Sequence, residues 1–198
     1  MNVSSWLKKA NCEDADLILL NVKSFFLKQN FDKTWLVAHG EDELAEKELD
    51  LADKWLERRK NGEPLAYITH HKEFYGRDFL VSPEVLIPRP ETETIIDIVK
   101  ELSSKKIIDV GTGSGCIAIT CALENKNASV VGLDISEKAL SVAEKNAENL
   151  QAKVDFLKSD LLENYHENCD LIIANLPYVD KNWHWLSDNL KFEPSLAL

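Results

Sequence analysis

The residues best suited to chemistry are Asp109, Gly111, Thr112, Gly113, Ser114 and Gly115, an acid followed by three glycines at alternate positions. The apolar run before them, residues 106–110, reads as a strand, and the stretch from Cys116 onward as a helix. Glycine accepts positive φ and lets a ligand approach the backbone closely. A strand, a turn and a helix at the start of an α/β unit form the place where open parallel sheets bind nucleotide-like ligands. The spacing is G-x-G-x-G, so the dinucleotide fingerprint G-x-G-x-x-G is not met. A glycine turn with only a structural role is the competing reading. Three more polar residues stand at the ends of later β-rich runs: Asp134, Asp160 and Asn175. In a parallel sheet such ends share one edge, and ligands bind there.

Asp134 lies about 20 residues past the glycine turn, where an acid reads the two hydroxyls of a ribose. The expected ligand therefore contains a nucleoside. Asp109 stands just before the turn, where a dinucleotide would bring its pyrophosphate. Two like unit charges about 4 Å apart repel by roughly 4 kcal/mol at an effective dielectric near 20. A sulfonium or amino group is attracted instead, so the charges favour S-adenosylmethionine over NAD. Asn175, Leu176, Pro177 and Tyr178 supply an acceptor side. An amide or exocyclic amine is a poor nucleophile because its lone pair is delocalised. The Asn175 side-chain oxygen and the Leu176 carbonyl can take its two N–H groups and aim that lone pair at a methyl donor. Pro177 stiffens the turn, and Tyr178 offers a flat face to a planar amide or base. Positioning and electrostatics then carry the catalysis. A capped turn with a core tyrosine is the alternative.

These residues need a scaffold. Residues 3–60 read as helical, with helices over 13–27, from Asp32 to Val37, and over 42–60, where Leu44, Glu48, Leu51, Trp55 and Leu56 make an apolar edge. Residues 63–90 change character. Tyr67-Ile68-Thr69 and Phe79-Leu80-Val81 flank a Gly76 turn and predict a hairpin. His70 and His71 point to opposite faces of a strand and do not share a metal. Residues 91–102 predict a helix with Ile95, Ile98, Val99 and Leu102 inward. Strands over 106–110, 129–133, 154–157 and 171–174 then alternate with helices, which predicts a parallel, doubly wound sheet with right-handed crossovers.

Composition limits the partners. The chain has 198 residues and a net charge of −11. That argues against a broad nucleic-acid footprint and suits a cationic ligand or a basic partner surface. Cys12, Cys116, Cys121 and Cys169 form no C-x-x-C pair, which predicts reduced thiols and a cytoplasmic protein. Cys116 and Cys121 lack the clustered histidines of a metal site, so no metal is expected. No run of about 18 apolar residues predicts a membrane span, and residues 1–9 lack an apolar signal core.

Asp109-Val110-Gly111-Thr112-Gly113-Ser114-Gly115-Cys116, Asp134-Ile135-Ser136 and Asn175-Leu176-Pro177-Tyr178 resemble the class I methyltransferases that modify glutamine in translation termination factors. More specific are Gly62-Glu63-Pro64-Leu65-Ala66-Tyr67-Ile68, Glu73-Phe74-Tyr75-Gly76 and Val85-Leu86-Ile87-Pro88-Arg89-Pro90-Glu91-Thr92-Glu93, which resemble that family's signature hairpin. The resemblance implies a Rossmann-like sheet of which the first four strands are present (residues 91–198). A small helical bundle (1–62) and a β-hairpin linker (63–90) precede it. It implies S-adenosylmethionine as cofactor: Gly111, Gly113 and Gly115 around its methionine part, Asp134 at its ribose, and Asp160 and Leu161 near its adenine. Asp109, Thr112, Ser114 and Asn175 count with these binding residues. It further implies a substrate glutamine in the Gly-Gly-Gln loop of a peptide chain release factor, held by Asn175, Leu176, Pro177 and Tyr178, with the helical bundle helping to hold the release factor.

Three positions depart from the family pattern. Asn-Leu-Pro-Tyr replaces Asn-Pro-Pro-Tyr, which keeps the carbonyl of residue 176 and loses proline's fixed φ. His70 stands where the family has glycine. The sequence ends at Leu198, whereas the family continues through three more strands, so a truncated chain with an exposed apolar edge, Leu171-Ile172-Ile173-Ala174, is expected. DNA adenine methylation is the alternative activity, because such a loop also orients adenine's amine. A non-catalytic fragment that binds cofactor or release factor is the third reading.

Overall fold

The computed structural model describes residues 1–177 and 188–198, without the side chains of 188 and 189. The chain forms two compact units, Met1–Thr69 and His70–Leu198.

The first unit is helical: α1 Val3–Ala10, α2 Ala15–Leu27, α3 Lys33–Ala38, α4 Glu46–Lys60 and α5 Leu65–Thr69. Its core gathers Trp6, Ile18, Leu19, Leu36, Ala52 and Leu56. Asp32 caps α3 as expected, accepting from the Thr34 N–H at 2.9 Å. The helix expected from residue 42 begins only at Glu46, after an extended Ala45. Glu48 sits on the buried face because Lys23 meets it there. The Lys23 Nζ donates to both carboxylate oxygens at 2.8 and 2.7 Å. Glu48 Oε2 also accepts from the Ala45 N–H at 3.0 Å. The predicted β-run Tyr67-Ile68-Thr69 is helical instead, inside α5. Pro64 starts that helix, accepting from the Tyr67 and Ile68 N–H groups at 3.0 and 3.2 Å, and its carbonyl outweighs the β propensity of the three side chains.

The second unit opens with a hairpin, β1 His71–Phe74 and β2 Arg77–Leu80, paired from His71↔Leu80 to Phe74↔Arg77. Its two turn residues, Tyr75 and Gly76, have φ of 50° and 69°, the positive pair of a tight hairpin turn. His70 precedes β1 with φ 64°, so the histidine adopts the left-handed backbone that a glycine would take without strain. His71 does enter the strand. Its Nδ1 lies 2.7 Å from Asp78, whose hydrogen bond raises its pKa.

A 3₁₀ turn, Pro90–Thr92, leads into α6 Glu93–Glu101. The buried residues of α6 are Ile96 and Val99, with Ile95 partly buried, while Ile98 and Leu102 are exposed. The expected inward face is thus rotated. Tyr75 explains the rotation: its N–H donates to Glu93 at 2.9 Å and its hydroxyl to Asp97 at 2.7 Å, so the hairpin turn covers the face at one side of the isoleucines.

Four parallel strands follow, β3 Lys106–Val110, β4 Ser129–Asp134, β5 Asp155–Lys158 and β6 Leu171–Ala174, with α7 Cys116–Glu124 and α8 Glu137–Asn149 between them. The order across the sheet is β5-β4-β3-β6. Val110 pairs with both Leu133 and Ala174, so the strand ends are in phase. One sheet face packs Ile107, Val130 and Ile173 with Ile117, Ile119 and the hairpin's Phe74 and Phe79. The other buries Ile108, Val110, Val131 and Leu133. Successive strands run outward from β3 to β5, then return to β6 on its other side. That reversal makes the end of β3 the point where a doubly wound sheet opens a crevice. Among the described residues no strand pairs with the free side of β6, where Ile172 is exposed.

Candidate functional site

The crevice at the strand ends is a cavity of about 510 Å³ within the second unit. Beyond β3 it is lined by Gly111, Thr112, Gly113 and Ser114. Gly111 and Gly113 have φ of 73° and 56°, conformations that side chains resist. A Cβ on Gly111 would come within 3.1 Å of Leu176, so the two strand-end loops meet over this glycine. Gly115, also at positive φ, does not line the cavity. Its missing side chain lets α7 approach α8, because a Cβ there would lie 3.0 Å from that of Ala143.

Asp134, at the end of β4, lines the cavity. Its Oδ2 accepts from the Gly113 N–H and its Oδ1 from the Ser136 N–H, each at 2.9 Å. Two backbone donors fix the carboxylate and leave acceptor capacity on both oxygens. Asp160 and Leu161, beyond β5, line the cavity as well. Leu161 has φ 48° in the turn closed by the Glu163 N–H on the Asp160 carbonyl at 3.0 Å. Asn175, Leu176 and Pro177, beyond β6, complete this rim. Tyr178 lies outside the described residues.

Asp109 has a different place. It is 1% exposed and does not line the cavity. Its Oδ2 accepts from the Thr112 hydroxyl at 2.6 Å and the Ala118 N–H at 3.2 Å, bracing the glycine turn from within. Burial pushes its pKa up to about 6, against the lowering effect of those two hydrogen bonds. The buried Cys116 and Cys121 thiols are pushed up to about 12, chiefly by desolvation, so both stay protonated at neutral pH. Among the described residues no cluster of histidine, cysteine and acidic side chains could hold a metal ion, and no helix is long and apolar enough to cross a membrane.

Sequence reasoning left out one whole wall. Glu84, Leu86, Pro88 and Arg89 line the cavity from the segment after the hairpin, and Pro194, Ser195, Leu196 and Ala197 from beyond Phe192. Glu193 joins these segments: its Oε2 accepts from the Ile87 N–H at 3.2 Å, and its Oε1 accepts from the Arg89 guanidinium. The signature at residues 85–93 was legible in the sequence, but nothing in its spacing tied it to residue 193. Asn146 was missed as well. It reads as a polar residue on α8, yet it is 1% exposed and bonds to both Leu80 and Ser114.

A parallel sheet that carries a glycine turn, an aspartate and an asparagine on one edge has the fold of the class I methyltransferases. Residues 90–186 match the family model described as Methyltransferase small domain, and residues 4–69 match the PrmC N-terminal domain. Proteins named release factor glutamine methyltransferase are similar over most of the chain. The one from Koribacter versatilis is 47% identical over 180 residues, covering 85% of this chain and 63% of the relative. The Neisseria gonorrhoeae protein is 41% identical, with 85% and 64% covered. The Bacillus subtilis protein is 39% identical over 210 residues, with 98% of this chain and 71% of the relative covered. The chain belongs to the release factor glutamine methyltransferase family, and it spans just under two thirds of the length of the first two relatives.

Proposed function

We propose that this chain carries the donor and acceptor sites of an enzyme that moves a methyl group from S-adenosylmethionine to the side-chain amide nitrogen of the glutamine in a release factor's Gly-Gly-Gln loop. The observation that carries this reading is the convergence of Gly111, Gly113, Asp134 and Asn175 on one cavity in a chain of this family.

The residues present fit the donor. Gly111 and Gly113 leave room where side chains would stand. Asp134, already anchored by two N–H groups, has free lone pairs for the two ribose hydroxyls. Asp160 lies on the same rim and Leu161 adds an apolar surface suited to a purine. When bound, S-adenosylmethionine supplies a methyl group made electrophilic by its positive sulfur. The chain's own part is to bind, orient and keep charge in order. Asp109 acts from below by holding the turn through Thr112 and Ala118. The Asn175 side-chain oxygen and the Leu176 carbonyl accept the two N–H groups of the substrate carboxamide and turn its lone pair toward the donor. With the donor held there, an N–C bond would form as its C–S bond broke, and the amide would lose one proton to solvent. No strong base is required, since that proton becomes acidic as the nitrogen takes the methyl group. Pro177 and Tyr178 complete the acceptor loop in this reading, and the helical unit contacts the release factor in the cytoplasm.

The test is methyl transfer from labelled S-adenosylmethionine to a release factor, run beside duplex DNA. Label on the Gly-Gly-Gln glutamine is the expected result. Label on adenine instead would overturn the reading; the net charge of −11 speaks against that outcome. Calorimetric binding of the donor without any turnover would reduce the chain to a binding fragment.

A further inference from the structure

Arg89 is the one cationic side chain lining the cavity among the described residues; the other charged residues there, Glu84, Asp134 and Asp160, are acids. Glu193 faces Arg89 from a buried position, with its side chain only 2% exposed. Both of its carboxylate oxygens are engaged, one by the Arg89 guanidinium and one by the Ile87 N–H. A carboxylate so buried is stable only with such partners, and in return it fixes the guanidinium in the cavity wall. The guanidinium has five N–H donors and its side chain is 39% exposed, so donors remain for a second anion.

We propose that Arg89 receives the carboxylate of the methyl donor's amino-acid part, and that Glu193 is the positioning residue that orients it. The assignment rests on the donor reading above. S-adenosylmethionine has two cationic groups, the sulfonium and the amine, and one anionic group. The acids on the rim suit the first two. The carboxylate needs a cation, and a planar guanidinium offers it two parallel N–H bonds. Arg89 therefore selects a sulfonium nucleoside that still carries its carboxylate.

Calorimetric titration with S-adenosylmethionine and with its decarboxylated analogue tests this. The wild-type chain is expected to bind the carboxylate-bearing donor about 10- to 100-fold more tightly, the range of charged hydrogen bonds. Arg89→Met is expected to lose that preference by weakening only S-adenosylmethionine. Glu193→Gln should lower the preference in part, because Arg89 keeps its charge but loses its fixed orientation. Equal binding of the two nucleosides by the wild type, or equal weakening of both by Arg89→Met, would show the Arg89–Glu193 pair to be a structural clasp and overturn the proposal. If Arg89→Met does not fold, Arg89→Lys decides, since a point charge should reduce the preference and a clasp would not change it. A wild-type chain that binds neither nucleoside overturns the donor reading and this assignment with it, an outcome distinct from equal binding.

Discussion

Asn146 on α8 holds both backbone groups of Leu80 at the end of β2: the Leu80 N–H donates to Asn146 Oδ1 at 2.7 Å, and Asn146 Nδ2 donates to the Leu80 carbonyl at 2.9 Å. The second proton of Nδ2 goes to the Ser114 carbonyl, also at 2.9 Å. One buried carboxamide thus ties the hairpin to the glycine turn. Asn146→Leu would leave one donor and two acceptors unpaired, each costing about 1–3 kcal/mol if buried. The expected loss is about 3 kcal/mol in urea unfolding, with faster hydrogen exchange at Leu80. Unchanged stability would mean that water replaces all three bonds.

Asp109 sets a pH dependence of stability. Its folded pKa, about 6, lies above the ordinary aspartate value of 3.8. Between those values the folded chain binds more protons than the unfolded one, so stability falls as pH rises through this window. Below pH 3.8 the term vanishes, and above 6 it is complete, at about 3 kcal/mol for a shift of about two units. Asp109→Asn abolishes this titration. The stability of wild type relative to the variant should therefore decrease between pH 4 and 7. A difference that is flat with pH would refute the assignment.

In the proposed function Asp134 and Asn175 divide the work between donor and acceptor. Asp134→Ala should weaken S-adenosylmethionine by about 1–3 kcal/mol, the scale of a lost hydrogen bond to a charged group. It also frees the Gly113 N–H and loosens the turn. Asn175→Ala is expected to bind the donor nearly as wild type and to lose most turnover, since it acts on the acceptor's orientation. Calorimetry beside a methylation assay separates the two; equal losses of binding would refute the division.

Lys23 and Glu48 form a buried pair in the helical unit. Lys23→Met alone leaves a buried carboxylate without its partner and should cost about 3–5 kcal/mol. Lys23→Met with Glu48→Leu should recover most of that loss, because two apolar side chains remove the desolvation problem. Chemical denaturation of the four species gives the cycle, and additive losses would contradict the pairing.

Local signals were strong where a continuous apolar run stops abruptly. The strands at 106–110 and 171–174 and the helix at 116–124 have the predicted ends, because glycine, asparagine and proline interrupt the pattern sharply there. His70 is similar: a family position that calls for glycine shows its left-handed backbone even with a histidine in place. Rotation of α6 was not legible, because Ile95, Ile96, Ile98 and Val99 allow two apolar stripes. The Tyr75 bonds to Glu93 and Asp97 decide between them.

The sequence by itself determined the alternation of strand and helix, the order of the motifs, and which strand ends carry Asp134, Asp160 and Asn175. These follow from periodicities of two to four residues and from glycine's freedom in φ, which act over short stretches of chain. Tertiary structure alone decided that Asp109 turns inward to brace the glycine turn, that Glu193 reaches Arg89 across 104 residues of sequence, and that Asn146 joins Leu80 to Ser114. The reason is that a buried polar group must find a partner wherever the packed chain brings one, and no spacing in the sequence records that meeting.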